Sequence, residues 1–270
     1  MLFKDLKFTV ITVCLNAEDS IQKTIESVLM QKYSPYEYLI IDGESKDNTV
    51  SIAKEYEGDF ADKGIRYFVI SEKDTGIYNA MNKGIRKATG DFISFLNAGD
   101  TYLEDSLIII RDFYAESPFD MTYGGLNYIN PDGSMIVKMS KYDRHWVTSR
   151  HWNHPSMFLR SEIYQKYGFD EQYRIYADFH LYTKLRKIKD LRIRVIPKII
   201  TNFSANGIST KSSVRCAAER GREKYEIYKN NGYSRLYFFE SYLWEIVKLL
   251  YFGTKSIKLK LQHKNESFSD

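Results

Sequence analysis

Ser71–Ile85, SEKDTGIYNAMNKGI, is the stretch on which the reading of this chain turns. It begins where an apolar run, IRYFVI, ends, and it continues into a segment with helical spacing, so a buried strand hands over to a helix here. Glu72, Asp74, Asn79, Asn82 and Lys83 crowd that junction around two glycines. Polar groups at such a junction form either a solvated turn or the rim of a ligand pocket, and the neighbouring segments decide between the two.

Upstream, KFTVITVCL is continuously apolar and rich in β-branched residues, as expected of a strand covered on both faces. SIQKTIESVLMQ then places Ile21, Ile25, Val28 and Leu29 at helical spacing. YEYLIIDG is a second strand and DNTVSIAKEY a second helix, with Asp47 or Asn48 as its cap. Downstream, IYNAMNKGIRKA is a third helix, DFISFLNAGD a fourth strand with a polar end, and SLIIIRDFYAES a fourth helix. This alternation, held to about Ser117, predicts βαβ units: a Rossmann-like α/β fold with a mostly parallel sheet flanked by helices. Ligands of such sheets bind outside the carboxyl ends of the strands. Those ends carry Asn16, Asp42-Gly43, Ser71-Glu72 and Asn97 to Asp100, all polar, so the opening stretch reads as one wall of a shared crevice.

After Ser117 the pattern changes. DMTYGGLNYINPDGSMIVKM reads as strand, turn and strand, SEIYQKYG and IYADFHLYTKLRKI as helices, and LRIRVIPKII as a strand. Residues 211–252 carry amphipathic, aromatic helical spacing. The expected organisation is a domain over 1–208, with a nucleotide-binding half to about 117 and an acceptor half over 118–208, followed by a basic helical extension over 209–270.

The 270 residues suffice for a sizeable core, and 43% hydrophobic against 27% charged residues is ordinary for a globular chain. Two cysteines, Cys14 and Cys216, in unlike contexts read as thiols, which suits the cytoplasm. The N-terminus lacks a signal-peptide pattern, and no apolar run approaches the roughly 20 residues that span a bilayer. Net charge is +4 but unevenly placed: 20 Lys+Arg against 27 Asp+Glu before residue 181, and 19 against 8 from there on. The basic end implies an anionic partner, such as lipid headgroups or a phosphorylated lipid; with no recognition motif behind it, nucleic acid is not expected.

Two phosphate-binding solutions are excluded. CLNAEDS stands where a dinucleotide turn needs G-x-G-x-x-G, and no G-x-x-x-x-G-K-[ST] run exists. Carboxylates with a divalent cation are the other common way to hold a diphosphate.

Four motifs in order, TVITVCLNAEDSIQKTIESVLMQ, YLIIDGESKDNT, SEKDTGIYNAMNKGI and FLNAGD, resemble family 2 glycosyltransferases of the GT-A fold, with the flavour of bacterial capsule, O-antigen and colanic-acid enzymes. Weaker similarity continues through HPSMFLRSEIYQKYGFDE and YADFHLYTKL. The resemblance implies a nucleotide-sugar donor, most often a UDP-sugar, Mg²⁺ or Mn²⁺, and inversion at the anomeric carbon. It also implies that Thr12 and Asn16 line the base and ribose pocket, that Asp42 accepts from uracil, and that Asp74 contacts the nucleoside with Asn82 and Lys83 close by. FLNAGD occupies the metal motif but departs from it, with Asn97 and Gly99 at carboxylate positions, leaving Asp100 as the metal ligand. Asp178 matches the base that deprotonates the acceptor, and His154 a position near acceptor or diphosphate. A polyprenyl diphosphate-linked glycan is the implied acceptor. The C-terminal helices are expected to rest on the inner leaflet of the membrane and to provide any homo-oligomer contact.

Plainer readings stand beside these. Asp42-Gly43 and Asp47-Asn48 are also turn and cap residues, Asp74 and Asp178 also helix caps, and the three histidines His145, His151 and His154 also invite a zinc reading. A degenerate, non-catalytic nucleotide-sugar or glycan-binding protein on the same fold is the functional alternative, made concrete by the missing aspartates.

Overall fold

The computed structural model describes residues 5–205, 213–247 and 249. The chain divides into two compact units, 1–206 and 207–270.

The first unit is built on one sheet. Strands β1 (Phe8–Cys14), β2 (Glu37–Asp42), β3 (Arg66–Ser71) and β4 (Phe92–Phe95) are joined through helices α1 (Glu18–Leu29), α2 (Thr49–Glu55), α3 (Glu57–Asp62) and α4 (Ile77–Lys87). They pair in parallel in the order β3-β2-β1-β4. Every residue of β1, β2 and β4 is buried, which is why their sequences are continuously apolar rather than alternating. Register sets the site: Cys14, Asp42 and Ser71 stand in one row across the ends of β1, β2 and β3. Helix α4 lies close on this layer because Gly84 has no side chain; a Cβ there would come within 2.7 Å of Ile11 Cγ2.

Beyond β4 the pairing becomes mixed. After β5 (Thr101–Tyr102) and α5 (Ser106–Glu116) come β6 (Met121–Ile129), β7 (Met135–Lys138), β8 (Met157–Arg160), α6 (Ser161–Tyr167), α7 (Ala177–Leu185) and β9 (Ile193–Ser204). β8 runs antiparallel between β4 and β6, β9 lies parallel to β6, and β5 and β7 pair antiparallel with β9 and β6. β8, the MFLR segment, carries no strand signal in the sequence: it is short, and the 3₁₀ turn His154–Ser156 immediately before it obscures its period.

In the second unit α8 (Val214–Asn230) is capped by Ser213, whose hydroxyl accepts from the Cys216 N–H, and a turn leads to a second helical stretch over 237–247. Arg220 and Lys224 are buried against a single carboxylate, Glu245, at 2.7 and 2.8 Å. Part of the basic excess is thus held internally. The remaining helical expectation, residues 211–212, 248 and 250–252, lies outside the described residues. No helix among the described residues is long and apolar enough to cross a membrane.

Candidate active site

The carboxyl ends of β1 to β4 bring the four motifs together. Asp42 is fully buried; its Oδ2 accepts from the Ser45 N–H at 2.9 Å and the Ser71 hydroxyl at 2.6 Å, and its Oδ1 accepts from the Ser45 hydroxyl. Asn16, in the left-handed region at φ 48°, ties the first loop to the second: its Oδ1 accepts from the Lys46 N–H and its own N–H donates to Ser45 Oγ. Asn48 is the N-cap of α2 but makes no side-chain cap bond; the preceding Asp47 accepts from the Thr49 N–H through Oδ1 and from the Glu18 N–H at the start of α1 through Oδ2. Asp74 hangs over Gly43 so closely that a Cβ on Gly43 would stand 2.5 Å from Asp74 Oδ2. Lys83 donates to the Lys73 carbonyl at 2.6 Å and faces Glu72 at 3.5 Å, so it stiffens the loop that carries Asp74.

Two of the expected donor contacts lie elsewhere. Thr12 is fully buried and its hydroxyl donates to the Leu96 carbonyl at 2.6 Å, so it secures the β1–β4 junction beneath the crevice and does not line it. Asn82 spends its amide on the 168–171 loop, accepting from the Phe169 N–H and donating to the Phe169 carbonyl and Glu171. A side chain facing helix from loop cannot be told from one facing a ligand by sequence alone.

At the end of β4, Asp100 is 3% exposed and accepts from the Ser204 N–H at 2.8 Å. Burial pushes its carboxyl up to about 7, with that N–H and the Lys23 charge pulling the other way. Three residues earlier, Asn97 Oδ1 is buried with no hydrogen-bond partner. A buried carboxylate and an orphaned carbonyl oxygen on one turn are hard oxygen donors of the kind a divalent cation satisfies, and a diphosphate would complete the shell. No group of three His, Cys, Asp or Glu side chains gathers at a possible metal site among the described residues.

The second half contributes a separate cluster. Asp178 stands in the first turn of α7 with its side chain 19% exposed. Its Oδ1 accepts from the Phe179 N–H at 2.8 Å and lies 2.9 Å from the hydroxyl of Tyr78, in the first turn of α4. The N-cap of α7 is Tyr176, so Asp178 is not the cap that the plainer reading of the sequence offers. His154 Nδ1 lies 3.7 Å from Asp178 Oδ2. Its ring is stacked on Phe95, the last residue of β4, at 5.7 Å, which joins this cluster to the Asn97–Asp100 turn. His154 is only 7% exposed, so it faces Asp178 from below and does not stand on the open rim. In the sequence Tyr78 repeats with Met81 and Ile85 at helical spacing and reads as core.

The model of Glycosyl transferase family 2 matches residues 9–198, spanning every element just described. A PGL/p-HBAD biosynthesis glycosyltransferase of Mycobacterium bovis is 26% identical over 211 residues, 74% of this chain and 77% of that protein. The Bacillus subtilis protein TuaG, named for teichuronic acid biosynthesis, is 32% identical over 130 residues, 48% of this chain and 50% of that one. Staphylococcus aureus TarS 1–349, crystallised with UDP-GlcNAc, superposes with a TM-score of 0.63 at 17% identity, covering 87% of this chain and 70% of TarS 1–349. The mannosyltransferase PcManGT of Pyrobaculum calidifontis, solved with GDP-Man and Mn²⁺, gives 0.61 at 15% identity, covering 83% of this chain and 64% of that one. The parallel β3-β2-β1-β4 layer, its polar carboxyl rim and the family match over 190 residues lead to one conclusion: this chain is a glycosyltransferase of family 2 with the GT-A fold.

Proposed function

We infer that the enzyme moves a sugar, with inversion, from a nucleotide sugar to a hydroxyl of a surface-glycan acceptor, with Asp178 as the base. The acceptor oxygen forms a bond to the anomeric carbon, the bond to the nucleotide diphosphate breaks, and the acceptor proton passes to Asp178. The observation that carries this reading is the wiring of Tyr78. Its hydroxyl lies 2.7 Å from the Ile175 carbonyl and 2.9 Å from Asp178 Oδ1, so one proton faces two acceptors. Once Asp178 is protonated, its O–H donates to Tyr78 and Tyr78 donates to Ile175; each proton then has an acceptor. The Tyr78 hydroxyl can therefore turn from Asp178 to Ile175 as the proton arrives.

Asp74, over the loop that the buried Asp42 anchors through Ser45 and Ser71, supports a uracil nucleotide at the rim, as does the nucleotide sugar bound in TarS. Asp100 and Asn97 would hold Mg²⁺ or Mn²⁺, which when bound neutralises the departing diphosphate. The surface-glycan acceptor is supported by the functions for which the mycobacterial and Bacillus relatives are named, and a polyprenyl diphosphate carrier by the basic C-terminal sequence. An exposed apolar stripe, Leu236, Phe239, Leu243 and Ile246, supports contact of the second unit with an anionic membrane. The test is a panel of UDP-, GDP- and dTDP-sugars with Mn²⁺ or EDTA, scored by nucleotide release and by the anomeric configuration of the product. Metal-dependent release from one UDP-sugar with an inverted product is expected; a retained configuration would remove the base role from Asp178. Binding of nucleotide without turnover on any acceptor would favour the degenerate binding protein.

A further inference from the structure

We propose that His154 is a positioning residue for Asp178: its Nδ1 faces Oδ2 and comes to hold it when substrate binds, while Tyr78 holds Oδ1. The inference rests on the reading of Asp178 as the base.

The geometry is specific. His154 opens the 3₁₀ turn before β8, and its ring is boxed by Phe95 at 5.7 Å, Trp152 at 5.6 Å and Phe169 at 5.7 Å, so its plane is set by three aromatic neighbours. Within that box Nδ1 lies 3.7 Å from Asp178 Oδ2, longer than a hydrogen bond; catalytic hydrogen bonds are often long without substrate and tighten in the complex. The other ring nitrogen, Nε2, is buried without a hydrogen-bond partner. An imidazole that merely filled this slot would bury the unpartnered Nε2 where a phenyl ring would bury no polar atom, at a desolvation cost with no return. The return is the carboxylate in front of it.

Protonation state fits the role. Burial pushes the His154 pKa below the ordinary 6.5, and the charge of Asp178 pulls it back only in part. The ionisable groups set against this cluster are Asp178 itself and the phenols Tyr78 and Tyr164; the Tyr164 hydroxyl is held well above its usual range by burial first and by Asp178 second. A neutral ring orients the carboxylate without trapping it in an ion pair.

The first arm needs no substrate. In ¹⁵N-histidine-labelled protein, the His154 ring is expected neutral at pH 7 with its proton on Nδ1, and that tautomer is expected to shift in Asp178→Asn; identical ring signals in the two proteins overturn the proposal. The second arm uses nucleotide release from the sugar panel. His154→Phe, which keeps the aromatic box, is expected to lower kcat by about 10- to 100-fold, the scale of a misplaced reactive group. Donor KM should stay near the wild-type value, and the acid limb of the pH profile should move upward as the carboxylate loses a donor. His154→Asn, which returns an N–H near the Nδ1 position, should recover part of the loss. Full turnover with an unchanged pH profile in His154→Phe, where Asp178→Asn is inactive, sinks the positioning role alone. An active Asp178→Asn sinks the base reading beneath it. If His154→Phe fails to fold, the nitrogen signals and His154→Asn still decide.

Discussion

On the β1–β4 side of the sheet nearly every motif side chain has found a protein partner: Asp42 has Ser45 and Ser71, Asn16 has Lys46, Asp47 has Thr49 and Glu18, Asn82 has Phe169 and Glu171. Around the end of β4 and the start of α7, by contrast, Asn97 Oδ1, His154 Nε2 and the Tyr164 hydroxyl are buried with no hydrogen-bond partner, and Tyr78 must divide one proton between two acceptors. Buried polar groups in folded proteins are nearly all satisfied, so clustered exceptions point to a missing ligand or to chemistry. The first region is a preorganised cradle whose polar groups hold loops in shape. The second is where, on the proposed reading, substrate, cation and moving proton would complete the bonding.

That contrast can be broken at several points. The largest effect is expected at Asp100: Asp100→Ala should lower Mn²⁺-stimulated nucleotide release by about 100-fold or more, and loss of the EDTA sensitivity should accompany it. Asn82→Ala should do the reverse of what a donor ligand does. By removing the bonds to the Phe169 backbone it should cost about 1–3 kcal/mol in urea unfolding while leaving donor KM nearly unchanged. A large rise in KM without loss of stability would return Asn82 to the donor pocket. Gly43→Ala drives a methyl into Asp74 Oδ2, and is expected to weaken UDP binding by roughly 10-fold in calorimetry with a small change in stability. The smallest effect concerns pH. His154 is neutral in the fold below the pH at which it charges in the unfolded chain, so its contribution to stability is present above about 6.5 and is lost as pH falls below it. His154→Phe should therefore flatten the decline in thermal midpoint on the acid side of 6.5, relative to the wild type.

The cradle was legible because it is written in local terms. Continuous apolar runs, helical spacing and four polar strand ends announce a parallel layer and its crevice before any coordinate is known. Thr12 and Asn82 show the limit of that reading, since a polar residue in a motif can face the protein as easily as the ligand. The second region was legible only as single residues. Tyr78 and Asp178 are a hundred positions apart and meet because α4 and α7 converge, and β8 hides between a 3₁₀ turn and a helix. Nothing in either segment alone announces the pair.

The most direct test of the account is the rate of sugar transfer by Asp178→Asn beside the wild type, with UDP affinity measured on both. The expected result is a loss of about 10²- to 10⁴-fold in kcat with nucleotide binding retained, the signature of a missing base on an intact cradle. Turnover within a few-fold of the wild type would contradict it and move the proton acceptor away from α7.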